Sequence, residues 1–204
     1  MAAPRQLSRH HRTAVILALV LGGSFLLKLH NLGDPALTCY DETFHAIVAR
    51  NLLDQPFKPT LVENPYLSYD FRDWTANHVW LHKGILPLWL IAGSYSVLGV
   101  DPFALRLPSA ILGTAAVWLT YLIGRRLLDR RAALVAAVLQ AFNPALTMLV
   151  HGYWFSDHVD TSLIFCTELG VYFLVRANRT GRWPCVLLAG VAQGLAFLCK
   201  YFPA

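Results

Sequence analysis

Charge is what this sequence has least of. Only 14% of its 204 residues are Asp, Glu, Lys or Arg, against 56% hydrophobic, where a soluble domain carries about a quarter charged residues. The few charges are bunched, with long uncharged tracts between them. Cysteine is also scarce. Cys39, Cys166, Cys185 and Cys199 make no CxxC or metal-type spacing, which argues against a disulfide framework or a cysteine metal cluster. There is no internal repeat and no low-complexity stretch. Acids are outnumbered, leaving a net charge of +5, but the basic residues sit at the ends of apolar tracts, where membrane topology puts them. They form no stripe suited to nucleic acid, so no nucleic-acid partner is expected. About 18 apolar residues suffice to cross a hydrocarbon core of about 30 Å. The remaining class is an all-α integral membrane protein.

Six apolar tracts follow one another, at 13–29, 84–100, 107–124, 132–150, 161–175 and 184–199. The first follows Arg5, Arg9 and Arg12, as a signal peptide would, but it is long for one and no small-residue cleavage site follows, so it reads as a retained helix. The other basic clusters are Arg125/Arg126/Arg130/Arg131 and Arg176/Arg179/Arg182. Lys and Arg near helix ends prefer the cytoplasmic side, so two crossings should separate each cluster from the next. Two tracts separate the second cluster from the third, but three separate the first from the second. The least uniform of those three is 84–100, with Gly84, Pro87, Gly93 and Gly99, and it reads as an interfacial helix.

The expectation is therefore a multi-pass protein of the plasma (inner) membrane with a cytoplasmic N-terminus. Crossings lie at about 13–29, 107–124, 132–150, 161–175 and 184–199. A large first outer loop, 30–106, holds amphipathic juxtamembrane helices at about 42–54 and 84–100. This arrangement collects ten of the twelve acids on the outer side: Asp34, Asp41, Glu42, Asp54, Glu63, Asp70, Asp73, Asp101, Asp157 and Asp160. Asp129 is inside, and Glu168 is in mid-helix. Within the first loop, Phe44, Ile47, Val48 and Leu52 share one helical face, Pro56 and Pro59 end that helix, and residues 60–82 form an aromatic loop at headgroup level.

Several polar residues could carry chemistry. Asp41-Glu42 opens the amphipathic helix. Asp favours an N-cap and Glu suits a first turn, but a carboxylate at headgroup depth also suits a general base. His82-Lys83 and Arg106 could hold a phosphate as its charge develops, or simply anchor helix ends. Lys200 closes the last tract and could reach a lipid phosphate. Asp157, His158 and Asp160 make a short acidic second outer loop, able to cap the next helix, to orient an acceptor, or to bind a metal together with Asp41. His45, His78, His82 and His158 are all outside, but their spacing fits no standard zinc motif. Glu168, a carboxylate in mid-membrane, either pairs with a neighbouring helix or is protonated.

These pieces, in this order, resemble the membrane glycosyltransferases of the GT-C fold. The group is the dolichyl-phosphate-mannose protein mannosyltransferase-like one, which includes the lipid A aminoarabinose transferases. The matching stretches are Tyr40-Asp41-Glu42-Thr43-Phe44-His45-Ala46, Ala49-Arg50-Asn51-Leu52-Leu53, His82-Lys83 through Pro87-Leu88, Arg106-Leu107-Pro108-Ser109-Ala110, Gly124-Arg125-Arg126-Leu127-Leu128 and Gly194 to Lys200. Relatives often carry two prolines where this chain has Gly84-Ile85, and Arg or Tyr at the positions of Phe44 and His45.

The resemblance implies that this is the N-terminal part of a GT-C module. It would move a sugar, with inversion, from a polyprenyl-phosphate donor to a protein or lipid acceptor on the outer face. Asp41, beside Glu42, would be the base, and Lys83 would meet the donor phosphate, with His82, Arg106 and Lys200 as further phosphate contacts. No cofactor is required, and a divalent metal is left open. The rival is a non-catalytic polytopic protein, a transporter or assembly subunit. Transporters gather polar residues near the bilayer midplane, whereas here the polar residues gather outside.

Overall fold

The computed structural model describes residues 9–64, 66, 68, 70, 72, 78–153 and 157–201. Arg5, Asp73 and the chain end 202–204 lie outside them. The described residues form eight helices, with one isolated antiparallel bridge between Thr60 and Val79. They are α1 (Arg9–Leu29), α2 (Asp41–Asn51), α3 (Ile85–Leu98), α4 (Pro102–Leu127), α5 (Arg130–Ala141), α6 (Pro144–Val150), α7 (Asp160–Thr180) and α8 (Trp183–Cys199).

Local chemistry fixes most of the helix ends. Asp101 accepts from the Ala104 amide at 2.7 Å, and Pro102 opens α4 where its missing N–H costs nothing. Asp129 caps α5 through the amides of Arg131 and Ala132. Gly181, in the left-handed region, stops α7. By length and composition α1, from His11, and α4 can each cross a membrane. The tract read as one crossing over 132–150 is two helices, α5 and α6, bent by 50°. Asn143 caps α6 and Pro144 starts it, so the backbone cannot run straight through. Near this break Lys28 of α1 lies 2.6 Å from Ser24 Oγ and 3.5 Å from the Ala141 carbonyl that the break leaves free. α3 and α8 are apolar but shorter, at 14 and 17 residues.

The packing falls into layers. Near the start of the chain, α1 meets α4 and α5 through Val20, Val117, Tyr121 and the small face Ala133/Ala137/Ala141. At the other end, α2, α3 and the first turn of α4 bury Val48, Ala49, Leu52, Trp80, Leu88, Ile91, Tyr95, Ala104 and Leu105 together. The apolar face of α2 is thus turned largely into protein, against α3 and Trp80, while Ile47 stays exposed. Glu168 sits between α4 and α5, 2.6 Å from Gln140 Nε2 and 3.3 Å from Thr120 Oγ1, which supplies the polar partners expected of it.

Candidate active site

The first turn of α2 separates two neighbouring carboxylates. Glu42 points inward. Arg106 of α4 donates Nε to its Oε1 at 2.6 Å and one terminal nitrogen to its Oε2 at 3.1 Å, and both residues are only 2% exposed. The same guanidinium donates to the carbonyls of Leu32, Asp34 and Ala36 at 2.9–3.0 Å. All five N–H groups of Arg106 are thereby engaged. Glu42 also accepts from the Thr38 amide at 2.6 Å, and Thr38 Oγ1 donates to the Gly152 carbonyl. Glu42 and Arg106 therefore pin the chain between α1 and α2 onto α4, and no Arg106 donor is left over for a phosphate.

Asp41 points the other way. The N-cap of α2 is Tyr40, and no side chain caps that helix, so capping does not explain the acid. Tyr40 has φ 72°, a costly region for a residue with a Cβ. This strained residue directly precedes Asp41, whose side chain is 38% exposed and faces Lys83 Nζ at 3.7 Å.

Lys83 is the hinge of the site. Its ammonium lies 2.7 Å from Asp157 Oδ2, between Asp157 and Asp41. Burial alone would lower its pKa, but the negative charge of Asp157 and their hydrogen bond outweigh burial and hold it above the usual lysine value. Asp157 is raised by burial but lowered further by His45, His158 and Lys83, so its carboxyl lies below the ordinary range. Its Oδ1 is 3.3 Å from Nδ1 of His45, one turn beyond Asp41 on α2. His158 is buried beside it, 5.4 Å ring to ring from His45. Exposed His82 stacks edge-on to Trp80, and burial, then Lys83, lower its pKa. Asp160 opens α7 and holds Lys200 at 2.9 Å. Both are near enough to act through their charge, Asp160 on Lys83 and Lys200 on His82.

The structure thus gathers Asp41, His82, Lys83, Asp157, His158, Asp160 and Lys200 at one end of the bundle, and sets Glu42 and Arg106 apart as a buried clamp. Sequence reasoning gave too little weight to His45, whose only signal is its position four residues after Asp41, and to Gly84. A Cβ on Gly84 would stand 1.9 Å from the Leu198 carbonyl oxygen, so α3 can approach α8 this closely only without a side chain there. Gly84→Ala is expected to cost about 1–3 kcal/mol in thermal unfolding and to shift Lys83 away from Asp157. An unchanged melting curve would refute this close approach.

Several known proteins are similar to this chain. Residues 82–204 match the dolichyl-phosphate-mannose-protein mannosyltransferase family. An undecaprenyl phosphate-alpha-4-amino-4-deoxy-L-arabinose arabinosyl transferase of Pseudomonas fluorescens is 31% identical over 65% of this chain and 24% of its own length. A putative mannosyltransferase of Bacillus subtilis is 25% identical over 94% of this chain and 25% of its own length. The chain thus spans about a quarter of these relatives. Among solved structures, ArnT from Cupriavidus metallidurans bound to undecaprenyl phosphate superposes with a TM-score of 0.69 at 17% identity, covering 95% of this chain and 33% of that one. The Archaeoglobus fulgidus oligosaccharyltransferase gives 0.63 at 21% identity, over 92% of this chain and 23% of that one. These likenesses establish the fold as a helical integral membrane bundle of the GT-C type. With three-fifths of its length inside the family match, this chain belongs to the dolichyl-phosphate-mannose-protein mannosyltransferase family.

Proposed function

We propose that this chain forms the donor side of a glycosyltransferase acting at the outer surface of the plasma membrane. The observation that carries the reading is Lys83, held charged between a half-exposed carboxylate, Asp41, and a buried one, Asp157. The relatives support it, since the Pseudomonas transferase is named for an undecaprenyl-phosphate sugar and one superposed structure holds undecaprenyl phosphate.

The reaction is one displacement with inversion. Asp41 takes the proton of an acceptor hydroxyl, on a protein or a lipid. The oxygen attacks the anomeric carbon from the face opposite the phosphate. The bond from that carbon to the phosphate oxygen breaks, and the polyprenyl phosphate leaves with the electron pair. Lys83 stabilises the charge that develops on it, with His82 and Lys200 nearby. Asp157 keeps Lys83 protonated and aimed. The five crossings and the cytoplasmic N-terminus expected from the basic clusters would place this end of the bundle outside.

The test is turnover of a labelled polyprenyl-phosphate sugar by the full-length protein in liposomes. Losing a charge-assisted contact worth about 1.5–3 kcal/mol, Lys83→Met is expected to lower kcat/KM about 10- to 100-fold, and NMR of the product should find the anomeric configuration inverted. A Lys83→Met enzyme with wild-type kcat/KM, or a retained configuration, would overturn the mechanism.

A further inference from the structure

Behind Lys83 lies a buried cluster of which only Asp157 has a part in the proposed reaction, through Lys83. We propose that His45, Asp157 and His158 form a binding site for a divalent transition-metal ion, with Zn²⁺ the best match. One ligand atom from each residue lies within 4.8 Å of the other two. The three residues are 0%, 4% and 1% exposed. They come from two segments, His45 from α2 and the others from the turn that leads into α7.

The unusual feature is the imidazole nitrogens. Among the described residues, both nitrogens of His45 and both of His158 are buried without a hydrogen-bond partner. His45 Nδ1 faces Asp157 Oδ1 at 3.3 Å, but off the line that a hydrogen bond needs. Leaving a buried polar group unpaired costs about 1–3 kcal/mol, and native proteins rarely leave several together. A metal ion would satisfy one nitrogen of each ring, because it takes a lone pair from each imidazole and one from the carboxylate.

The chemistry of the donors suits that ion. Two imidazoles and one carboxylate suit Zn²⁺ far better than Mg²⁺ or Ca²⁺, which want oxygen. Three protein ligands leave a fourth position open. Lys83 occupies Asp157 Oδ2, and Oδ1 faces the histidines while accepting from the Val159 amide at 3.3 Å, which leaves it a second lone pair for the ion. The ligands are also braced from behind. The His158 carbonyl accepts from Ser109 Oγ at 2.8 Å and from Thr161 Oγ1, and Trp80 packs edge-on against His45. A bound ion would tie α2 to the start of α7 and hold Asp157, and through it Lys83, in place. The ion would touch neither the acceptor nor the sugar, and its binding is read from metal content rather than turnover, so the site can be tested apart from the proposed reaction.

The experiment is metal analysis of the full-length, tag-free protein, purified in detergent after growth with added Zn²⁺. Elemental analysis should find about one zinc per chain, falling at least tenfold in a His45→Gln/His158→Gln variant. Replacing zinc with Co²⁺ in the unmodified protein should produce the strong visible bands of a low-symmetry, four- or five-coordinate site, and so does not depend on the variant folding. A chelator should lower the melting temperature, and Zn²⁺ but not Mg²⁺ should restore it. Wild-type protein with no zinc above that of the variant and no cobalt bands, a sign that water alone satisfies the rings, would overturn the proposal. So would zinc that persists undiminished in a folded variant.

Discussion

Asp41→Asn is expected to lower sugar transfer by the full-length protein about 10²- to 10⁴-fold, the range for losing a general base, with membrane insertion and melting temperature unchanged. The amide has nearly the shape of the carboxylate but cannot take the acceptor proton. The fold should not notice, because Asp41 caps no helix and is partly open to solvent, and its one ion pair among the described residues, at 3.7 Å, is with a lysine that Asp157 holds more closely. The measurement is transfer from a labelled polyprenyl-phosphate sugar, alongside a melting curve of the same sample. A variant that turns over at near the wild-type rate would remove Asp41 from the chemistry. A variant that loses activity and melts early would make it a structural residue.

The second large effect falls on the other carboxylate's partner. Arg106→Ala is expected to cost about 3–5 kcal/mol, as breaking one side of a buried ion pair does. It strands the Glu42 carboxylate at 2% exposure and leaves the carbonyls of Leu32, Asp34 and Ala36 without their donor. Arg106→Lys should rescue little. An ammonium has three donors on a flexible stem, and the site uses five in the fixed fork of a guanidinium. Thermal unfolding together with proteolysis between residues 30 and 40 would measure both variants. An Arg106→Lys protein that melts with the wild type would show that the clamp contributes little. Activity should fall with stability, because the clamp fixes the turn on which Asp41 stands.

The helices were legible because long apolar tracts carry an unambiguous signal. Asp101, Asp129 and Gly181 also mark helix ends in ways that local chemistry explains. The pairing of Lys83 with Asp41 and Asp157 was half legible. Each residue stood out as a charge near the membrane surface, but their meeting depends on three segments far apart in the chain. Glu42 and Arg106 were harder to sort. In sequence they look like further site residues, and only the fold, which brings them together across 64 positions, makes them a clamp. The break between α5 and α6 was written locally in Asn143-Pro144, but the apolar run on both sides of it hid the signal. His45 was obscured because its metal-type partners lie more than a hundred residues away.

Lys28 carries one more consequence, for the order in which the bundle is assembled. It is 1% exposed within α1, and the carbonyl it approaches, Ala141, is synthesised 113 residues later. Until then the early helix holds an ammonium with only Ser24 for company, an uncomfortable state inside lipid. When α5 arrives, the end of that helix offers a carbonyl with no partner of its own. Each helix carries a defect that the other relieves, so the growing chain has a reason to keep α1 waiting beside the place where α5 will insert.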